Sequence, residues 1–397
     1  MEKHMDVFEK VGQFTAADEA KAQGLYPFFL PLEDTEGTEV TLNGRRVIMI
    51  GSNNYLGLTT HPKVCAAAVA GVEQYGTSCT GSRFLNGTLR LHMELEDRLA
   101  AFVGKEAALV FSTGMQVNLG TISALVGPGD YAIIDKENHA SIVDGCRLSM
   151  GQMKRYRHGD LNHLERILKG LPEDAGKLVV VDGVFSMSGD IVDLPALVPL
   201  CRKYGARVYV DDAHSLGVLG GGRGTAAHFD MTDDVDLIMG TFSKSFASIG
   251  GFIAGDADVI GYIQHHARSL IFSASLPASN VMAVMAALEI METEPEHVER
   301  LWANGEKMLT GLKRLGFRVG STRTPIIPLI IGETEPMLLT WKLLLERGLY
   351  TNPVPPPAVP PGQALLRTSY MATHTEEQLD CALDIMADVG RQLGLIA

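Results

Sequence analysis

A chain of 397 residues can bury a large core and points to two domains of unequal size. Its apolar content of 46%, with 42 glycines and few aromatics, suits an α/β enzyme, while a formal net charge of −13 argues against nonspecific binding to nucleic acid or to an anionic membrane surface. The five cysteines (Cys65, Cys79, Cys146, Cys201 and Cys381) form no CxxC pair, which suits a reducing cytosol rather than a disulfide framework or a zinc site.

From Met1 to Gly24 the chain is charged and helix-prone, without the apolar core of a signal peptide. No stretch reaches transmembrane length, so a soluble, cytoplasmic protein is expected. Next comes Tyr26-Pro27-Phe28-Phe29-Leu30, an apolar cluster of the kind that packs on a neighbouring subunit or walls a tunnel. Val40 to Ile50 alternates around Asn43-Gly44, which predicts a two-residue hairpin. The polar loop Gly51 to Leu58 then leads to a helix that Pro62 can start.

Apolar runs at Ala107–Phe111, Tyr131–Ile134, Leu178–Val181, Arg207–Val210 and Leu237–Met239 alternate with amphipathic stretches. That alternation predicts a mostly parallel sheet covered by helices on both faces. After Pro277 a long helical stretch leads to a smaller α+β part with a strand at Ile326–Ile331, and Asn352 to Pro361 reads as a stiff proline loop. The expected organisation is an arm and hairpin over 1–48, a large domain over 49–280 and a small domain over 281–397.

The chemistry gathers at strand ends. Val208-Tyr209-Val210 stops in Asp211-Asp212-Ala213-His214-Ser215, and the run to Met239 stops in Gly240-Thr241-Phe242-Ser243-Lys244. A carboxylate at one strand end and a lysine flanked by hydroxyls at another match what pyridoxal phosphate (PLP) needs. The lysine makes the Schiff base, the carboxylate holds the ring nitrogen protonated, and the hydroxyls bond the phosphate. Singly, each motif reads as readily as a surface lysine or a strand-end cap. Ser112-Thr113-Gly114-Met115-Gln116 precedes a helix expected to begin near Val117; such a turn is a second phosphate candidate, although most are simple N-caps. His139 follows another strand and either lies on a cofactor ring or sits solvated in a capping loop. Asp182 to Asp190 repeats the pattern of a strand ending in polar groups. Four such strand ends should converge on one crevice.

Together these pieces resemble the α-oxoamine synthases, fold-type I PLP enzymes that join an amino acid to an acyl-CoA with loss of carbon dioxide. The resemblance rests on the Asn54 loop, Ser112-Thr113-Gly114, Asn138-His139-Ala140-Ser141, Asp182 to Asp190, Val210 to Ser215, Thr241 to Lys244 and Leu366-Arg367-Thr368-Ser369, which span nearly the whole chain. A narrower likeness at Gly76 to Thr88 points to the bacterial branch that condenses L-serine with palmitoyl-CoA to 3-ketodihydrosphingosine. One departure stands out. Some relatives carry Arg-Pro-Pro-Ala-Thr-Pro where this chain has Pro355-Pro356-Pro357-Ala358-Val359-Pro360, so a first arginine is absent.

By this resemblance Lys244 carries the cofactor and exchanges protons at Cα. Asp211 pairs with the ring nitrogen, His139 stacks on the ring and guides the amino acid, and His214 bonds the phenolic oxygen. Gly114 and Met115 offer backbone N–H groups. Ser186, Thr241 and Ser243 contact the phenolic side or the phosphate, and Ser273 reaches the phosphate of a second subunit in a homodimer. Asn54 and Arg367 are expected at the substrate, Arg367 as a planar two-point grip on its carboxylate. The expected partners are L-serine and a long-chain acyl-CoA, with weak membrane association through the lipid product and no metal. Two alternatives stay open: a glycine acyltransferase of the 2-amino-3-ketobutyrate CoA ligase type, and a noncatalytic scaffold subunit. Retention of Lys244 speaks against the scaffold.

Overall fold

The computed structural model describes residues 6–35 and 37–397, so residues 1–5 of the expected arm and Glu36 lie outside it. Three short strands come first: β1 (Asp34–Thr35), β2 (Glu39–Leu42) and β3 (Arg45–Met49). Asn43 and Gly44 both have positive φ, 51° and 69°, the left-handed pair that a tight hairpin turn demands. The hairpin does not stand alone. Strand β3 pairs in parallel with a late strand (Leu349–Tyr350), which ties the start of the chain to its last third.

The central sheet contains β4 (Ala107–Phe111), β5 (Tyr131–Asp135), β6 (Gln152–Tyr156), β7 (Lys177–Asp182), β8 (Arg207–Asp211), β9 (Leu237–Thr241) and β10 (Gly251–Gly255). Their order is β4-β10-β9-β8-β7-β5-β6. The pairs from β9 across to β6 are parallel, and β10 runs antiparallel to both β4 and β9. All six residues of β7 are buried. Val179 and Val181 face one apolar cluster, and Leu178 and Val180 face the other. A strand covered on both faces has no polar side to show, which is why it reads as an unbroken apolar run.

The sequence reading missed β6 and β10. Strand β6 (Gln-Met-Lys-Arg-Tyr) lies at the sheet edge, where charge is tolerated and discourages pairing with other chains. Strand β10 begins and ends in glycine, a residue that weakens a strand signal. At Gly251 a Cβ would stand 2.7 Å from the Gly240 carbonyl oxygen and 2.9 Å from the Gly114 Cα. Close backbone approach selected the residue there.

The remaining strands are β11 (Ile326–Gly332), β12 (Leu349–Tyr350), β13 (Asn352–Val354) and β14 (Ala364–Ser369); β12 completes the hairpin sheet beside β3, and the other three form a further sheet in the antiparallel order β11-β14-β13. Part of the expected proline loop is therefore a strand. Arg367 sits on the middle strand, opposite Pro328 and Asn352. Its neighbours Ala364 and Leu366 point into the apolar cluster shared with the helices Glu296–Leu315, Thr334–Glu346 and Glu376–Gln392. Side chains alternate along a strand, so Arg367 points away from that cluster.

Near the amino terminus, the turn Glu9–Gln13 and the helix Ala16–Ala22 bury no residue. Phe28 and Phe29 remain 44% and 93% exposed. Among the described residues no helix is long and apolar enough to cross a membrane.

Candidate active site

Because β5, β7, β8 and β9 are parallel, their carboxyl ends open on one side of the sheet, where Asp135, Asp182, Asp211 and Thr241 stand. A cavity of about 310 Å³ lies there, lined among others by Gly114, Met115, His139, Asp182, Asp211, His214, Thr241, Ser243 and Lys244. Residues taken from five separate stretches of sequence thus meet at one crevice, as the strand topology requires.

Asp211 is fixed from two sides. Its Oδ1 accepts from the Ala213 amide at 3.0 Å and its Oδ2 from Asn118 Nδ2 at 2.7 Å. Asn118 is 1% exposed and lies on the helix Gly114–Leu125, one turn beyond Gly114. Its Nδ2 also reaches Ser141 Oγ at 2.8 Å, and its carbonyl accepts from the Tyr209 hydroxyl at 2.5 Å. The neighbouring Asp212 has different partners. It accepts from the Thr225 amide and hydroxyl at 3.0 and 2.6 Å, an anchor for the following loop, and burial pushes its carboxyl up to about 7. Burial, with the Asp211 charge nearby, pushes Asp182 well above the usual carboxylate range.

His139 caps the helix Ala140–Leu148. Its backbone amide donates to Asp182 at 3.2 Å, and its Nδ1 lies 2.7 Å from the Ser141 hydroxyl. Burial lowers its pKa, against the pull of Asp211. Lys244 follows the β9 end, where Thr241 Oγ1 and Ser243 Oγ are 2.9 Å apart. Burial pushes the Lys244 amine down to about 8, with the Asp211 carboxylate opposing and Arg367 reinforcing the shift.

The helix Gly114–Leu125 starts three residues earlier than expected. Thr113 caps it, accepting from the Gln116 amide at 3.1 Å. A Cβ on Gly114 would meet Thr241 Oγ1 at 2.5 Å, so only glycine lets this helix end sit against the β9 hydroxyls. The first N–H groups of a helix have no partner within it and favour an anion.

Behind the cavity-lining His214, Tyr55 joins two elements. Its hydroxyl stands 2.6 Å from His214 Nδ1 and 3.2 Å from Arg367 Nη2. Arginine can only donate, so the hydroxyl accepts from Arg367, and its own proton has two acceptors in reach, His214 Nδ1 and Asn53 Oδ1 at 3.3 Å. Burial holds the His214 pKa well below its ordinary value, and the charges of Lys244 and Arg367 act in the same direction. Arg367 is 4% exposed. It donates from Nε to the Ser186 carbonyl, from Nη1 to Ser369 Oγ and from Nη2 to Tyr55. All three acceptors are neutral; among the described residues no carboxylate pairs with it.

Four expected residues stand off the cavity wall, and Arg367 is one of them, joined to the lining His214 through Tyr55. Ser186 contributes its backbone carbonyl to Arg367 and is absent from the cavity wall. Asn54 bonds Thr59 Oγ1 at 2.8 Å, away from the wall, and its own Oδ1 is buried without a partner. Ser273 accepts from Gln116 Nε2 at 2.9 Å within the same chain. Conversely, Asn118 and Tyr55 were assigned no role from sequence. Asn118 could have been found from its position four residues after Gly114, on the same helix face.

The donor set fits pyridoxal phosphate. A primary amine and a carboxylate share the cavity with an imidazole, and hydroxyls meet a helix N-terminus at one end. A residue-level likeness accompanies this geometry. The aminotransferase class I and II model matches residues 45–386. A serine palmitoyltransferase of Bacteriovorax stolpii is 54% identical over 366 residues, covering 92% of this chain and 87% of the relative. One from Sphingobacterium spiritivorum is 51% identical over 385 residues, 97% and 96% of the two chains. The solved serine palmitoyltransferase of S. paucimobilis, with PLP and myriocin bound, superposes with a TM-score of 0.96 at 39% identity, over 98% of this chain and all of that one. The fold is therefore that of the fold-type I PLP transferases, and the chain belongs to the aminotransferase class I and II family.

Proposed function

We propose that the protein is a PLP-dependent acyltransferase that condenses L-serine with a long-chain acyl-CoA, palmitoyl-CoA above all, releasing CoA and carbon dioxide and forming 3-ketodihydrosphingosine. The observation that carries this reading is Arg367, a buried guanidinium bonded only to neutral oxygens. A buried cation without an anion is costly to leave so, and a substrate carboxylate completes it. The names of the relatives supply the amino acid and the acyl donor.

Bound in the cavity, PLP supplies an electron sink for the amino-acid Cα. Lys244 would hold it, Asp211 would meet its ring nitrogen, and His214 would stand at its phenolic oxygen. Thr241, Ser243 and the Gly114–Met115 amides would take its phosphate. Lys244 takes and returns the proton at Cα; a pKa near 8 suits it to both duties at neutral pH. Arg367 holds the carboxylate of serine while Cα attacks the thioester carbonyl, CoA leaves as the thiol, and the carboxylate later departs as carbon dioxide. His139 stands beside these reacting groups.

Supporting a homodimer, Phe84, Leu85 and Phe272 are 55%, 77% and 72% exposed, and the bridge Ser82–Ala274 joins their two segments. Ser273 would then complete the partner's phosphate site. All five cysteines are free, which favours the cytoplasm, with contact to membranes through the lipid product. A large domain over 49–280 and a small one over 281–397, with an amino-terminal arm and hairpin, remain the proposed division; a separate carboxy-terminal apolar cluster supports it, while Val281 to Leu301 pack in the cluster of the large domain. The test is turnover of purified, PLP-loaded protein with serine or glycine against acyl-CoAs of two to eighteen carbons. Serine with palmitoyl-CoA should give the highest specificity constant. Equal constants for glycine with acetyl-CoA would favour the glycine acyltransferase instead.

A further inference from the structure

The hydrogen bonds behind His139 favour one arrangement of protons. Ring nitrogens and amide atoms are told apart by what they face. Asp211 Oδ2 accepts, so the Asn118 atom 2.7 Å away is the NH₂ nitrogen. The Asn118 oxygen then faces the Tyr209 hydroxyl, which donates to it at 2.5 Å. The second proton of the same NH₂ group points to Ser141 Oγ at 2.8 Å. Ser141 Oγ, which accepts from Asn118, lies 2.7 Å from His139 Nδ1, a contact in which either atom could donate. The Ser141 amide, which can only donate, approaches the same Nδ1 at 3.3 Å and assigns the direction, so the hydroxyl donates there too. His139 Nδ1 is therefore an acceptor. The remaining ring nitrogen, Nε2, has no hydrogen-bond partner among the described residues, and the ring lines the cavity.

We propose that Tyr209, Asn118 and Ser141 are positioning residues that lock His139 in its neutral Nε2–H tautomer, so that it meets the substrate as a hydrogen-bond donor and not as a base. Burial, which lowers the His139 pKa, keeps the ring neutral at pH 7. The same amide group serves Asp211 and His139 at once, so the carboxylate and the imidazole are oriented by one side chain. A buried network with every member satisfied is rigid, and loss of one donor frees the rest to reorganise. The recipient of the Nε2 proton, an oxygen of the amino acid or of the thioester, rests on the function proposed above; the tautomer does not.

Nitrogen-15 NMR of histidine-labelled protein, with and without PLP, reads the tautomer directly, the His139 signals being identified by their loss in His139→Gln. The expected pattern is a protonated Nε2 and an unprotonated Nδ1 at pH 7. Asn118→Asp replaces the donor with an acceptor, so Ser141 turns its proton away from the ring and His139 should shift to the Nδ1–H form. Ser141→Ala should give a mixture of tautomers and a roughly tenfold fall in kcat with little change in KM for acyl-CoA, and Ser141→Thr should restore both tautomer and rate. A wild-type Nδ1–H ring, or an unchanged tautomer in both Ser141→Ala and Asn118→Asp, overturns the proposal. Where Asn118→Asp does not fold, the Ser141 pair decides alone. A protein that shows the Nε2–H form yet condenses no serine upholds the relay and overturns only the functional reading.

Discussion

Asp211 and Lys244 are held within the layers of the seven-stranded sheet, whereas Arg367 belongs to the three-stranded one and is joined to the cavity-lining His214 through Tyr55. The partners of Asp211 are the next loop and the covering helix. Those of Arg367 are Ser186 and Tyr55, 181 and 312 positions away in sequence. The first group needs one sheet to form; the second exists only where two sheets meet. Cofactor capture and substrate capture should therefore break separately, and the following experiments test how cleanly.

The largest effect is expected from Lys244→Ala. Loss of the covalent attachment and of the Cα proton carrier should cut turnover roughly 10³-fold or more, and borohydride reduction of PLP-loaded protein should leave no pyridoxyl group fixed to the polypeptide. Next, Asp211→Asn should keep part of the cofactor affinity and lower kcat about 10²- to 10³-fold, read by steady-state kinetics beside a PLP titration. Arg367→Ala should raise KM for serine roughly a hundredfold, about 3 kcal/mol, for loss of a charged hydrogen-bonding group. Its PLP affinity and its KM for acyl-CoA should be nearly unchanged; an equal loss of cofactor would erase the distinction between the two halves. Tyr55→Phe removes the link between Arg367 and His214 and should cost about 1 kcal/mol, roughly fivefold in kcat/KM for serine.

The smallest effect concerns pH. His158 contacts Asp135 at 3.0 Å and Asp190 at 3.7 Å; burial opposes its charge, but these carboxylates outweigh it and push the imidazole up to about 10. A raised pKa gives stability that is complete below the ordinary value near 6.5 and lost as pH climbs towards 10. The thermal advantage of the wild type over His158→Gln should shrink across that window. A constant difference from pH 6 to 10 would show that His158 acts through packing alone.

The same division explains what the sequence revealed. Asp211 and Lys244 were legible because a buried parallel strand is an apolar run, and its polar terminus announces a site within a few residues. Strand β10 was hidden by the glycines that close backbone contact requires. Asn118 was hidden because its partners lie 23, 91 and 93 residues off, and a single helical asparagine carries no local sign of them. Asn54 shows the opposite hazard. The loop was recognised, but the residue that turns inward is Tyr55, one position on. Ser186 likewise acts through its main chain, which no side-chain reasoning could foresee.

A cation left among neutral acceptors is also a point of weakness. In the proposed role, Arg367 would have no means of telling the carboxylate of serine from that of formate, acetate or a buffer acid until the rest of the amino acid is in place. Such small anions should compete with serine and not with acyl-CoA, raising the apparent KM of one substrate alone. The choice of storage buffer would then alter measured affinity, and a flat carboxylate joined to an apolar tail becomes the simplest outline of an inhibitor.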